Sequence, residues 1–347
     1  MFMPNSTWTW VYLLIVVGQA AIGLALEGYV FGRIIVALDG NSNTPNVRAI
    51  DTYLSLFIFG FVFQIALTWD ALRLKNTIQI IGLCFYNVGL MIYAAVQTDQ
   101  IQEFVNPAVG RASISVDLWN TLKPYLIAVP CVLALGSFIM GFVAWKLYDE
   151  FSWSIYKHIS ADLSMKRRYL VYQIYITLLK FDFFFFLSFT VQFLVVVKSI
   201  KNTEFGLTVA ALPVTVIILI LAGYWTRRES KTGMIVTIFL YFCAMAYFFF
   251  KLVRMYDGST PAGRQRVQTY AAARHGLTAF AIITILLLCL TIGNAIWCTA
   301  NFGKGLKPHL QKRQVPDGDN KAYAYENNTA YSGEMPLGQV PQRMTID

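Results

Sequence analysis

The sequence predicts an all-α membrane protein, a bundle of about eight spanning helices, and three observations carry that prediction. Apolar runs of about 20 residues recur along the chain, each long enough to cross a bilayer. Of the 347 residues 56% are hydrophobic and only 14% are charged, where a soluble domain carries about 25% charged. The third observation is the stretch Tyr169–Lys198, in which Lys180 and Asp182 are embedded among Phe181 and Phe183–Phe186. A charge at that depth costs roughly 3 kcal/mol on insertion scales. Residues two apart diverge by about 200° on a helix, so these two charges cannot pair with each other. Each needs a partner on another helix, and the stretch therefore reads as the central helix of the bundle.

The first apolar run, Trp8–Leu38, has no basic residue before it and is too long for the apolar part of a signal peptide. It reads as the first spanning helix rather than a cleaved leader. It carries Gln19, Glu27 and Arg33, and the spacing Gly28-x-x-x-Gly32 that suits close helix approach. The second run is Asp51–Trp69, with Gln64, and the third is Asn76–Val96, with Gln79 and Asn87. The short link Asp70–Lys75 makes these two antiparallel neighbours. Gln97–Lys123, with Pro107 and Gly110, reads as an ordered loop. The fourth helix is Pro124–Trp145; Pro124 suits a first turn and Pro130 bends the helix.

In Lys146–Arg168 the residues Phe151, Ile155, Ile159 and Leu163 recur every four positions, and Lys157, Lys166, Arg167 and Arg168 supply positive charge. That pattern fits a cytoplasmic amphipathic helix lying on anionic lipid headgroups; an ordinary connecting loop is the alternative. The fifth helix is Tyr169–Lys198. The sixth is Phe205–Thr226, with Pro213, and the seventh is Thr232–Phe250, with Lys251 and Arg254 snorkelling at its end. A loop over Met255–Arg274 leads to the eighth, His275–Cys298, which holds Asn294. Residues 1–303 thus form the bundle. Residues 304–347 form a basic juxtamembrane segment (Lys304, Lys307, Lys312, Arg313) and a polar tail whose composition is that of a disordered chain. No internal repeat is visible in the sequence.

Eight helices place both termini on one side. More of the Lys and Arg residues fall in the links on that side than on the other, and the positive-inside bias puts both termini in the cytoplasm. Seven helices with a lumenal N terminus is the alternative. Trp8, Trp10, Trp69, Trp145, Trp153, Trp225 and Trp297 fall at the predicted cytoplasmic interface, as an aromatic belt would. The sequons Asn5-Ser6-Thr7 and Asn327-Asn328-Thr329 would then stay unglycosylated.

The net charge of +9 is accounted for by this topology, and no basic soluble module points to nucleic acid. Cys84, Cys131, Cys243, Cys289 and Cys298 lie in or at the end of apolar runs without metal-ligand spacing and read as small apolar packing residues. His158, His275 and His309 are scattered, and no HExxH, GxSxG or Gly-rich phosphate loop occurs. The sequence therefore indicates no cofactor or metal, and it leans away from an enzyme.

Ionisable residues inside the membrane are the functional pointer. Glu27, Lys180 and Asp182 are the candidates for a ligand or ion site, with a Glu27–Lys180 pair expected. Asp182 would then face Gln64, Asn87 or Asn294, or a water-filled cavity. Phe183–Phe186 reads as packing and lipid contact. Two function classes follow: a transporter- or channel-like protein using this polar site, or a receptor or scaffold that binds a ligand or partner without moving it.

The segment FSWSIYKHISADLSMKRRYLVYQIYITLLKFDFFFFLSFTVQFLVVV, with its KFDFFFF run at Lys180–Phe186, resembles the corresponding segment of the fungal UPF0658 Golgi apparatus membrane proteins. The first helix, TWVYLLIVVGQAAIGLALEGYVF, is similar to that family too. The resemblance covers the membrane region and not the tail. It implies a multi-pass protein of the Golgi membrane and brings no catalytic residues with it.

Overall fold

A computed structural model describes residues 6–37, 45–110, 117–158, 163–196, 203–259, 263–264, 267 and 274–304. Among the described residues the long elements are eight helices: α1 (Thr7–Ala37), α2 (Pro45–Arg73), α3 (Thr77–Gly110), α4 (Asp117–His158), α5 (Leu163–Val196), α6 (Thr203–Arg227), α7 (Lys231–Tyr256) and α8 (Arg274–Ala300). All eight contain a segment long and apolar enough to span a bilayer. Their outward faces carry large apolar side chains such as Phe85, Phe138 and Val36. A soluble protein rarely exposes apolar surface on this scale, whereas hydrocarbon covers it without cost.

α5 is the central helix. Of its spanning segment 61% is buried, against 17% for α6, and it packs on α2, α3, α6 and α8. The phenylalanine run makes ring contacts with α2, α3, α7 and α8. Phe184 stacks on Phe59 and Phe63 of α2 and meets Tyr86 of α3 edge-on. Phe185 lies against Phe280 of α8, and Phe186 against Phe248 of α7. A helix apolar on all sides belongs inside a bundle, and four successive rings cover every face of one turn. Close approach of α3 to α5 depends on Gly82, where a Cβ would lie 2.5 Å from the Phe181 ring.

Both halves of the bundle have the same helix adjacency. In the first, α1 packs on α2 and α4, and α3 packs on α2 and α4. In the second, α5 packs on α6 and α8, and α7 packs on α6 and α8. The second and third helices of each half are joined by the same tight turn. Its left-handed residue is Lys75 (φ 47°) in one half and Glu229 (φ 54°) in the other. In each turn an amide reaches back five residues, from Asn76 to the Ala71 carbonyl and from Ser230 to the Trp225 carbonyl. The halves meet where α5 packs on α2 and α3, and where α8 packs on α3.

Several expectations are corrected. Gln97–Gly110 is not a loop but the end of α3, and α4 begins at Asp117, so Pro124 and Pro130 both lie inside it. The reason is apolar periodicity beyond the expected ends. Ile101 and Val105 of α3, with Leu118, Leu122 and Leu126 of α4, close a second apolar cluster with Val30 and Ile34 of α1. No separate interfacial helix occurs among the described residues: α4 runs unbroken to His158 and α5 starts at Leu163. Phe151, which opened the four-residue period, is buried in the main core. Residues 159–162 and the tail from 305 lie outside the described residues. A Cβ at Gly28 or Gly32 would meet nothing within 4 Å among the described residues; the packing glycine of α1 is Gly23, over the Phe61 ring. Cys131, Cys243 and Cys289 are exposed on the bundle surface rather than buried.

One face of the bundle gathers the described ends of the chain, Ser6 and Lys304. Ser6 donates to Glu150, eight residues before the end of α4 (2.7 Å). Arg168 at the start of α5 donates to the Lys304 carbonyl (2.5 Å), and the Gly303 amide donates to Glu229 in the α6–α7 turn (2.9 Å).

Candidate functional site

Three groups of polar residues inside the bundle include the expected site residues, and Lys180 and Asp182 belong to different ones. The Lys180 ammonium lies 2.5 Å from Asp70 Oδ2 and donates to Gln79 Oε1 at 2.8 Å. Gln79 Nε2 donates to Asp70 Oδ2 at 3.1 Å and to the Leu67 carbonyl at 2.8 Å. The three side chains thus close a triangle that ties α5 to the α2–α3 turn. The local cause is that turn: Lys75 in the left-handed region reverses the chain and sets Asp70 beside Gln79. The side chains of Lys180 and Asp70 are 26% and 39% exposed, so solvent screens the pair, and it contributes about 1 kcal/mol or less.

The second group is a network of amides. Asn87, fully buried on α3, accepts from Gln19 Nε2 of α1 (2.5 Å) and from Gln64 Nε2 of α2 (3.0 Å). Its own Nδ2 donates toward Gln19 Oε1 (3.2 Å), the Leu133 carbonyl (3.0 Å) and Ser137 Oγ (2.9 Å) of α4. Gly136 leaves the room that the Gln19 amide occupies. Four helices are joined here through one side chain.

The third group comprises two buried carboxyls with neutral partners. Asp182, 2% exposed, accepts from Thr291 Oγ1 of α8 at 2.6 Å through Oδ2, while Oδ1 has no hydrogen-bond partner among the described residues. Glu27, 3% exposed, accepts from Gln97 Nε2 of α3 at 2.8 Å. Among the described residues neither carboxyl has an ion-pair partner. Thr291 lies nine residues from the end of α8, about 14 Å along its axis, so Asp182 sits inside the spanning segments of α5 and α8.

The Glu27–Lys180 pair does not form, because Lys180 is taken by Asp70 and Glu27 by Gln97. Asp182 hydrogen-bonds Thr291 rather than the amides of Gln64, Asn87 or Asn294; Asn294 donates to the Val171 carbonyl at 3.1 Å. Gln64 and Asn87 do come together, with Gln19. Of the basic residues assigned to the membrane surface, Arg167 is exposed and Lys166 and Arg168 are half-buried, while the side chain of Lys157 lies outside the described residues. In the sequence Asp70 only opens the link Asp70–Lys75; its place beside a turn that brings Gln79 back is the signal for it. Thr291 had no signal, since threonine inside a spanning helix is common.

The shared adjacency of the halves extends to these groups. The first helix of each half is linked to the third by a polar pair, Gln19–Asn87 in one and Tyr175–Tyr241 (3.3 Å) in the other. A buried carboxyl follows about two turns further along that first helix, Glu27 in one half and Asp182 in the other.

These features define a polytopic α-helical integral membrane protein whose interior holds hydrogen-bonded amides and two carboxyls without cation partners among the described residues. The chain is 34% identical over 320 residues to a UPF0658 Golgi apparatus membrane protein of Schizosaccharomyces pombe, covering 86% of this chain and 88% of that one. The chain belongs to the UPF0658 family. No family model matches it, and no solved structure does.

Proposed function

We propose that this protein is a transporter-like component of the Golgi membrane that moves a proton or small cation, alone or with a solute, through the Asp182 site. The observation that carries this reading is Asp182 itself. It is buried inside the spanning segments of α5 and α8, bonded through one oxygen to a neutral hydroxyl, with the other oxygen unpartnered among the described residues. A carboxylate buried without a counter-ion is strongly unfavourable. Inside a membrane such groups mark proton and ion pathways. Glu27, in the equivalent place of the other half, supports the same reading. The Golgi location follows the S. pombe relative. Both termini lie in the cytoplasm on the positive-inside bias, where Lys166, Arg167 and Arg168 meet anionic headgroups. Lys180 is a structural tie in this scheme and not a ligand.

The test is flux into liposomes carrying the purified protein, with a potassium diffusion potential as the driving force. A pH-sensitive dye follows protons, and ion-sensitive dyes follow Na+ and Ca2+. The expected result is a flux above protein-free liposomes that falls at least tenfold in Asp182→Asn. A flux equal in the wild type and in Asp182→Asn would overturn the assignment. So would the absence of any flux, which would leave a receptor or scaffold role.

A further inference from the structure

A second polar site lies on the seam between the two halves, away from every group described so far. Gln100 of α3 is 5% exposed and Gln192 of α5 is fully buried. None of the four polar atoms of their two carboxamides has a hydrogen-bond partner among the described residues. Both amides converge on Gly276 of α8. A Cβ built there would lie 2.6 Å from Gln192 Nε2 and 3.4 Å from Gln100 Oε1. Those two distances bound the separation of the two atoms at about 6 Å, the triangle limit. The two atoms make no direct bond, and a single hydroxyl can bridge any separation up to about that limit. Gln192 lies four residues before the end of α5 and Gly276 two after the start of α8, while α3 continues ten residues past Gln100. The site therefore lies toward the ends of α5 and α8 that point away from Ser6 and Lys304.

Packing alone does not explain the arrangement. In hydrocarbon each unmet donor or acceptor is costly, and a leucine in place of either glutamine would pack without that cost. An amide presents both donors and an acceptor, so two facing amides match a neutral partner that itself donates and accepts. A lone ion is a poor match, because neither glutamine carries a charge. Glycine at position 276 keeps the meeting point open, since any side chain there would fall on the Gln192 amide.

We propose that Gln100 and Gln192, over Gly276, form a binding site for a hydroxyl group, supplied either by water or by a neutral polyol entering from the face opposite Ser6 and Lys304. The site stands apart from the Asp182 reading. It lies ten residues further along α5, about 15 Å away along the helix axis, and failure of either leaves the other intact.

Two measurements on the full chain in lipid nanodiscs test it. The first is the unfolding midpoint of Gln192→Leu, with Gln100→Leu as the second variant should the first fail to fold. A bridged amide lost to leucine lowers the midpoint by several degrees. A dry, unmet amide lost to leucine raises it or leaves it unchanged, and that result would overturn the site. The second is reaction of Gln192→Cys with a small charged methanethiosulfonate, measured as modification above that of the wild-type cysteines. The expected result is modification within minutes; an unreactive thiol in that variant would mean a dry seam and would equally sink the proposal. Repeating the reaction in 100 mM sorbitol separates the two sources. Slowing of threefold or more assigns the site to a polyol, and an unchanged rate assigns it to water.

Discussion

Replacing Asn87 by leucine removes the single side chain on which α1, α2, α3 and α4 converge. Leucine is close to asparagine in size, so the change probes hydrogen bonds rather than a cavity. Three buried side-chain atoms lose a partner: Gln19 Nε2, Gln19 Oε1 and Gln64 Nε2. Ser137 keeps its bond to the Leu133 carbonyl at 2.9 Å, so it does not count. In soluble proteins a buried group left without a partner costs about 1–3 kcal/mol. Interhelical hydrogen bonds in membranes average about 0.6 kcal/mol, with a maximum near 1.7. Three losses at about 0.6–1 kcal/mol each give about 2–3 kcal/mol. The assay is the unfolding midpoint of the detergent-purified protein, followed by tryptophan fluorescence, for Asn87→Leu, Gln19→Leu and the double variant. Because the two residues share bonds, the double variant should cost less than the sum of the singles by at least about 1 kcal/mol. Strict additivity, or a cost for Asn87→Leu below about 0.5 kcal/mol, would refute the network.

Lys180→Met and Asp70→Asn should each cost about 1 kcal/mol or less, because the pair is partly exposed; the difference from wild type should shrink in 0.5 M salt, read from the same melts. Gly82→Ala should lower stability by about 1–3 kcal/mol, since the added methyl meets the Phe181 ring. Gly28→Ala, whose Cβ meets nothing within 4 Å, should be neutral or slightly stabilising, and equal effects of the two changes would count against the helix packing. With cytoplasmic termini, the Asn5 and Asn327 sequons should carry no glycan; a mass shift on glycosidase treatment that vanishes in Asn5→Gln would reverse the topology.

The membrane class and all eight helices were legible because hydrophobic length is a strong signal that needs no partner. The same signal failed at the ends of α3 and α4. There the apolar residues Ile101, Val105, Leu118 and Leu122 are diluted by polar neighbours that a packed helix end tolerates. The need of Lys180 and Asp182 for partners on other helices was readable from their angular separation, and both find them, on α2 and α8. The identities of those partners were not readable. They depend on which helices become neighbours, and no local pattern encodes that. The period Phe151, Ile155, Ile159, Leu163 misled for a related reason: a four-residue apolar repeat fits a helix on the membrane surface and a helix entering the bundle equally well.

The equivalence of the two halves also lies beyond composition and spacing. It rests on helix adjacency and on two turns with left-handed residues at Lys75 and Glu229, whose side chains share nothing. What the halves preserve is a placement: a polar tie between first and third helices, then a buried carboxyl about two turns on. Chemistry diverges at each place, amides at Gln19 and Asn87 against phenols at Tyr175 and Tyr241, while the burial of Glu27 and Asp182 does not. If these carboxyls served only to fix packing, the tie beside them would suffice, and an apolar residue would cost less in hydrocarbon. A costly group at matching places in two units that otherwise differ is the pattern on which the proposed role of Asp182 rests.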